Sequence, residues 1–191
     1  LFYAGGDAAG HRRICLAIAS VRDVTAWRRM GPMLELGGPG SFDEKWCVLP
    51  CIHQIGKLWH LYFTGLSADK GGLQAFRGMG LATSPDLLHW TRYSTEPVLK
   101  GDGFAEWPAN RGIAGGGRII ECPQRDGKIL YRMHYTLATG TTDKDLFVDQ
   151  AKQSVVAHSW DGIDWFDRRV VLSPRRSADY ENVATIALNI W

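Results

Sequence analysis

Met79-Gly-Leu-Ala-Thr-Ser-Pro-Asp-Leu-Leu-His-Trp90, followed by Pro97-Val-Leu99, is the stretch that decides the architecture, because it recurs. Cys15-Leu-Ala-Ile-Ala-Ser20 leads to Trp27 and then Pro32-Met-Leu34; Ser154-Val-Val-Ala-His-Ser159 leads to Trp165 and then Val170-Val-Leu172. The Ser-to-Trp gaps are 7, 6 and 6 residues. An aromatic-rich apolar run precedes each copy: Leu1 to Gly5, Leu58 to Thr64 and Ile129 to Thr136. The last two follow Gly-Lys turns, Gly56-Lys57 and Gly127-Lys128, which themselves follow a further apolar run. Each unit thus holds four short strands joined by turns, with almost nothing of helical period. Internal repetition of such units predicts a β-propeller blade.

The repeat spacing, 64 residues from Ser20 to Ser84 and 75 from Ser84 to Ser159, is long, so the surplus falls in loops. Ser67 to Arg77 has room for a turn or two of helix. Blade units fall at about 1–40, 41–102 and 103–177, with 178–191 opening another; Val183 to Trp191 reads as its first strand. The expected fold class is all-β, a propeller of four-stranded antiparallel blades with about three blades present. An open ring leaves blade faces uncovered, so either a remainder of the ring or a homo-oligomer is expected to complete it.

Composition narrows the partners. With 22 Lys and Arg against 20 Asp and Glu, the net charge of +2 supplies no field for nucleic acid or an anionic membrane. No apolar run approaches the roughly 20 residues that span a bilayer. LFYAGGD lacks the layout of a signal peptide, which leans the expected compartment to the cytoplasm. Cys15, Cys47, Cys51 and Cys122 read as free thiols; Cys47 and Cys51, in WCVLPCIH, sit on an expected strand with an interior Pro, a poor setting for a metal pair.

The Ser-x-Asp-x-x-x-Trp element, Ser84 to Trp90 and Ser159 to Trp165, has a structural explanation: the Asp accepts from N–H groups of its own turn, and the Trp fills the space between blades. Chemistry is expected at the other end of the ring. There the interblade segments bring Ser41-Phe-Asp-Glu-Lys-Trp46, Phe104-Ala-Glu-Trp-Pro-Ala-Asn-Arg111 and Asp179-Tyr-Glu-Asn182 to the starts of inner strands. Converging carboxylates can cleave a glycosidic bond, one as general acid and one as nucleophile or base. The alternative is that they cap turns or pair with Lys45, Arg111 and Arg175. The candidate catalytic residues are Asp43, Glu44, Glu106 and Glu181; the candidate substrate contacts are Trp46, His53, Trp107, Arg111, His134 and Asp179. The expected partner is a carbohydrate, with no nucleic acid and no membrane.

Gly80 to Trp90 with Pro97-Val-Leu99, and Ala157 to Trp165, resemble the blade signature of the five-bladed superfamily that contains glycoside hydrolase families 43, 32, 68 and 130. The resemblance runs over nearly the whole chain. It implies an acid on the inner strand of several blades: Asp43 or Glu44 for one, Glu106 for the next, Asp179 or Glu181 for the last. The chain departs from the pattern where the inner strands begin, at Val48-Leu-Pro50, Gly115-Gly-Gly117 and Val183-Ala-Thr185, without an Asp or Glu directly before a Pro. Glu121-Cys122-Pro123 reproduces a family 32 acid/base triplet but falls after its expected inner strand, toward the opposite turn. No cofactor is expected; the resemblance implies Ca²⁺ at the ring centre in some family 43 members, with Asp7, His11, Asp69 and Asp143 on candidate rim loops. The implied function is a glycoside hydrolase acting on a furanoside or short oligosaccharide, or a related mannoside phosphorylase. The alternatives are a sialidase-like propeller and a non-catalytic sugar-binding or scaffold propeller.

Overall fold

A computed structural model describes residues 1–67, 76–101, 113–139 and 151–173, and every regular element among them is a strand. β1 (Phe2–Gly6), β2 (Arg12–Ser20) and β3 (Asp23–Pro32) form one antiparallel unit. β4 (Trp46–Ile55), β5 (Leu58–Leu66), β6 (Phe76–Ser84) and β7 (Thr91–Arg92) form a second. β8 (Ile113–Pro123), β9 (Ile129–Thr139), β10 (Ala151–Ser159) and β11 (Phe166–Leu172) form a third. A single parallel pairing, Arg12 with Trp46, joins the first unit to the second. The molecule is a partial β-propeller. Of the span considered for a helical turn, the described part ends β5 at Leu66 and opens β6 at Phe76.

The units pack face to face, which explains why their middle strands read as unbroken apolar runs instead of alternating. Leu61, Tyr62 and Phe63 on β5 are all at most 1% exposed. Side chains alternate across a strand, so Leu61 and Phe63 face the first unit, in a seam with Ile14, Phe42 and Cys47, whereas Tyr62 faces the third, in a seam with Met79, Leu81, Met133, Tyr135 and Val155. A strand buried on both faces has no polar phase. Complete burial of each such side chain contributes about 1.5–3 kcal/mol.

Register identifies equivalent positions. Phe2 pairs with Leu16 and Tyr62 with Leu81, as His134 pairs with Val156. Phe2 and Tyr62 are the rings that receive the next unit's tryptophan: Trp90 meets Phe2 edge-on at 5.9 Å between centroids, and Trp165 meets Tyr62 in the same way at 5.9 Å. Those two tryptophans fill the seams as expected. Trp27 does not; it is 46% exposed, because among the described residues no unit stands on that side of β1–β3.

The turns hold by the expected bonds. Asp86 Oδ1 accepts from the Leu88 and His89 N–H groups at 2.9 and 2.8 Å, and Asp161 Oδ1 from Ile163 and Asp164 at 2.8 and 3.0 Å. Asp23 does the same for Thr25 at 3.0 Å. All three carboxyls are held below the ordinary value: at Asp23 first by the Thr25 hydroxyl, which donates at 2.7 Å, at Asp86 first by the His89 imidazole, and at Asp161, against the upward push of burial, by the bonds from Ile163 and Asp164.

Pro50 shapes the inner strand β4. Pairing with β5 slips between Val48 and Cys51, and Leu49 takes a φ of 57°. A proline has no N–H for the ladder, and the bulge absorbs that gap. The slip also turns Cys47 and Cys51 to opposite faces: Cys47 lies in the first seam and Cys51 packs against the second. They cannot share a ligand, and burial pushes the Cys47 thiol up to about 12 and the Cys51 thiol to about 11.

Candidate active site

The Ser-x-Asp hairpins and the β4–β5 and β8–β9 turns occupy one end of the units. Trp59 pairs with Ser84 and Tyr131 with Ser159, placing turn and hairpin at the same level. The starts of β4 and β8 therefore lie at the opposite end, where the link from β3 arrives and where the interblade carboxylates were expected.

Asp43 lies in that link, just ahead of β4, and is 1% exposed. Its Oδ2 receives the Arg92 guanidinium, whose other nitrogen donates to the Glu35 carbonyl, and Cys47 Sγ approaches the same oxygen at 3.5 Å. Ser41 Oγ donates to Oδ1 at 3.1 Å. The guanidinium also lies 5.2 Å above the Phe63 ring. A carboxylate closed in by these partners ties the link to β7 and has no face open to a sugar. Glu44, half-buried, accepts from the Gly40 N–H at 3.1 Å and closes its own loop.

Trp46 opens β4 and is fixed from outside: its indole N–H donates to the Gly10 carbonyl at 2.8 Å, and the Arg12 guanidinium lies 4.1 Å over the ring. Asp7, in the same loop, accepts from Ala9 and His11 N–H groups, the His11 ring and Arg13. Those bonds, the His11 N–H first, hold its carboxyl below the ordinary value and occupy its oxygens. The loop does not fit a Ca²⁺ site, and no group of metal-ligating side chains converges among the described residues. Asp69 and Asp143 lie outside the described residues.

The two histidines occupy different places. His53, near the far end of β4, bonds Glu121 across to β8 at 3.2 Å and meets Tyr131 edge-on at 5.9 Å. β8 runs to Pro123, so Glu121 lies within the inner strand, at its lower end. His134 sits in the middle of β9 at the position of Phe2 and Tyr62, on a blade face and not at the strand starts. Burial lowers its pKa first, with Arg132 and His158 adding to the effect. Glu106, Trp107, Arg111, Asp179 and Glu181 lie outside the described residues.

Among the described residues, the inner-strand starts on β4 and β8 carry no acid. Leu49, 42% exposed, stands directly before Pro50, and a Cβ on Gly115 of β8 would come within 2.6 Å of Leu49 Cδ1 and 2.0 Å of Thr64 Oγ1. With φ at +90°, Gly115 also needs a backbone that side chains disfavour. Close approach of β8 to the second unit therefore requires glycine at this place. The sequence reading missed Arg92 and the His53–Glu121 pair; neither has a local signal, since each partner is 49 or 68 residues away.

The strand order and the stacking of the units describe a partial β-propeller. The comparison with solved structures agrees. The chain superposes on a family 117 glycoside hydrolase produced by the marine bacterium Zobellia galactanivorans with a TM-score of 0.60 and 16% identity, over 82% of this chain and 41% of that one. It also matches a structure from the family 130 mannoside phosphorylases, described as containing hydrolases that target β-1,2 mannosidic linkages in Candida mannan, with TM-score 0.57 and 15% identity over 97% and 56%. The β-1,2-mannobiose phosphorylase of Listeria innocua gives TM-score 0.53 and 15% identity over 91% and 40%. The chain spans about half the length of these proteins. No protein-family model matches it, and no curated protein matches it in sequence.

Proposed function

We propose that this chain forms part of a glycoside hydrolase that acts on a furanoside or a short oligosaccharide through carboxylate acid/base chemistry, with blades at about 41–102 and 103–177. The observation that carries the reading is the propeller fold, shared over 97% of the chain with a structure described as a glycoside hydrolase (TM-score 0.60, 15% identity). Fold alone does not define a reaction, so the residues must be argued separately. With Asp43 closed into an ion pair, the carboxylates left for the chemistry are Glu106 and Glu181, with Glu44 and Asp179 as further candidates. One would protonate the leaving oxygen while the other attacks the anomeric carbon or activates a water. Trp107 and Arg111 flank the first of these in sequence and would hold the sugar.

The test is a hydrolysis screen on aryl arabinofuranosides, xylosides, fructans and mannosides, with and without phosphate. Glu106→Gln and Glu181→Gln should each lower turnover by about 10²–10⁴-fold with folding retained. Turnover only with phosphate would make the protein a phosphorylase, the activity named for the Listeria innocua structure. A second reading, a sugar-binding propeller without catalysis, is favoured by Leu49 and the Gly115-Gly116-Gly117 run at positions where the family resemblance expects acids. No turnover on any substrate, with Glu106 and Glu181 variants binding sugar as tightly as the parent, would support it.

A further inference from the structure

The hairpin between β10 and β11 carries, directly after its Ser, an aromatic side chain that neither counterpart has. The residue after the Ser is Trp160, where the other hairpins have Val21 and Pro85. Trp160 is 51% exposed, and the fold has no use for an indole at this position, because Trp165 already fills the seam. Its backbone is clamped: Ser159 Oγ accepts from Asp161 and Gly162 at 3.3 and 2.8 Å, and Asp161 accepts from Ile163 and Asp164. Gly162 is pinned in turn, its carbonyl accepting from the Tyr62 hydroxyl at 2.6 Å. An aromatic ring on so rigid a turn loses little entropy when a ligand stacks on it.

Beside Trp160 is an open cavity of about 510 Å³, also lined by Lys128, Ile129 and Tyr131, a volume that holds one or two sugar rings. Charged groups of both signs adjoin its lining residues. Lys128 lies 3.4 Å from Asp126, and Glu121, 50% exposed, stands opposite Tyr131 in the β8–β9 ladder and bonds His53 at 3.2 Å. An anion would meet Glu121 and Asp126, and a cation would meet Lys128. A neutral polyhydroxylated ring suits both, since its C–H face stacks on the indole while its hydroxyls bond to the charged rim.

We infer that Trp160, Ile129, Tyr131 and Lys128 form a non-catalytic carbohydrate-binding site for a neutral glycan, at the end of the units opposite Asp43 and Glu44. The inference rests on the reading of the protein as one that handles sugars, but it does not depend on turnover. Such a site would keep a polymer attached while another segment reaches the opposite face.

The Glu106→Gln/Glu181→Gln variant separates the two readings, because it removes the proposed chemistry and changes none of the residues that line this cavity. Titration of that full chain with xylotetraose, arabinotetraose and β-1,2-mannobiose, followed by NMR, should give saturable shifts at the Trp160 indole and the Lys128 and Ile129 amides. Trp160→Ala should weaken the binding at least about tenfold and Glu121→Gln about threefold, with unchanged circular dichroism showing that each variant folds. Absence of saturable shifts with all three glycans up to about 10 mM would overturn the site. So would shifts that survive Trp160→Ala. Hydrolysis by the parent without binding here would sink this inference alone; binding here without hydrolysis would sink only the catalytic reading.

Discussion

Trp90 and Trp27 occupy the same place in their units, and the structure treats them differently. Trp90 sits on the Phe2 ring of the unit before it, whereas Trp27, with no such unit among the described residues, stands 46% exposed. Their strand partners repeat the contrast. Arg92 pairs with Ala82 and holds Asp43; Arg29 pairs with Ala17 in the equivalent register and has no ion pair among the described residues. One blade supplies only half a seam, so the value of a seam residue depends on the blade it faces.

The contrast can be broken most directly at the arginines. Removing one partner of a buried ion pair leaves the other charge stranded, so Arg92→Met should destabilise by about 3 kcal/mol or more, and Arg29→Met by no more than about 0.5. Urea unfolding of the two variants reads both; equal losses would mean that Asp43 is not carrying the link. The tryptophans come next. Trp165→Ala opens a cavity beside Tyr62 and should cost about 3 kcal/mol, while Trp27→Ala should cost less than about 1 in the same assay. A large Trp27 effect would show that its face is covered in solution.

Acid sharpens the comparison at the hairpins. Asp86 is held below its ordinary value of 3.8, so its folded form binds a proton less readily than its unfolded form. The stability it contributes is present above that value and is lost as pH falls below it. The urea midpoint of the parent should therefore drop more steeply between about pH 4 and about pH 2 than that of Asp86→Asn. Parallel slopes would remove Asp86 as a source of acid sensitivity. The smallest effect concerns reactivity: Cys47, buried beside Asp43 and raised to about 12, should resist iodoacetamide at mildly alkaline pH while half-buried Cys122 is alkylated first. Mass spectrometry of the native protein distinguishes the two.

Much of the fold was legible because each blade repeats its own local signals. Gly-Lys turns, Ser-x-Asp hairpins and doubly buried runs such as Leu61-Tyr62-Phe63 carry their structure within a few residues. The site was less legible. Asp43 looked like a catalytic carboxylate, since a carboxylate before an inner strand has the same local appearance whether it faces a substrate or an arginine. His134 looked available to a sugar, but strand alternation and its place in the blade put it on a face that packs in the equivalent units.

By itself the sequence determined what depends on neighbours along the chain: an all-β repeat, strands near their observed places, and hairpins closed by Asp86 and Asp161 through bonds two or three residues long. Only the tertiary structure decided which groups meet. The Asp43–Arg92 pair closes over 49 residues, the His53–Glu121 pair over 68 and the Tyr62 bond to Gly162 over 100. Contacts at such separations are set by how blades stack, and a carboxylate, an imidazole or a phenol has no way to express in local sequence which blade will be placed against it.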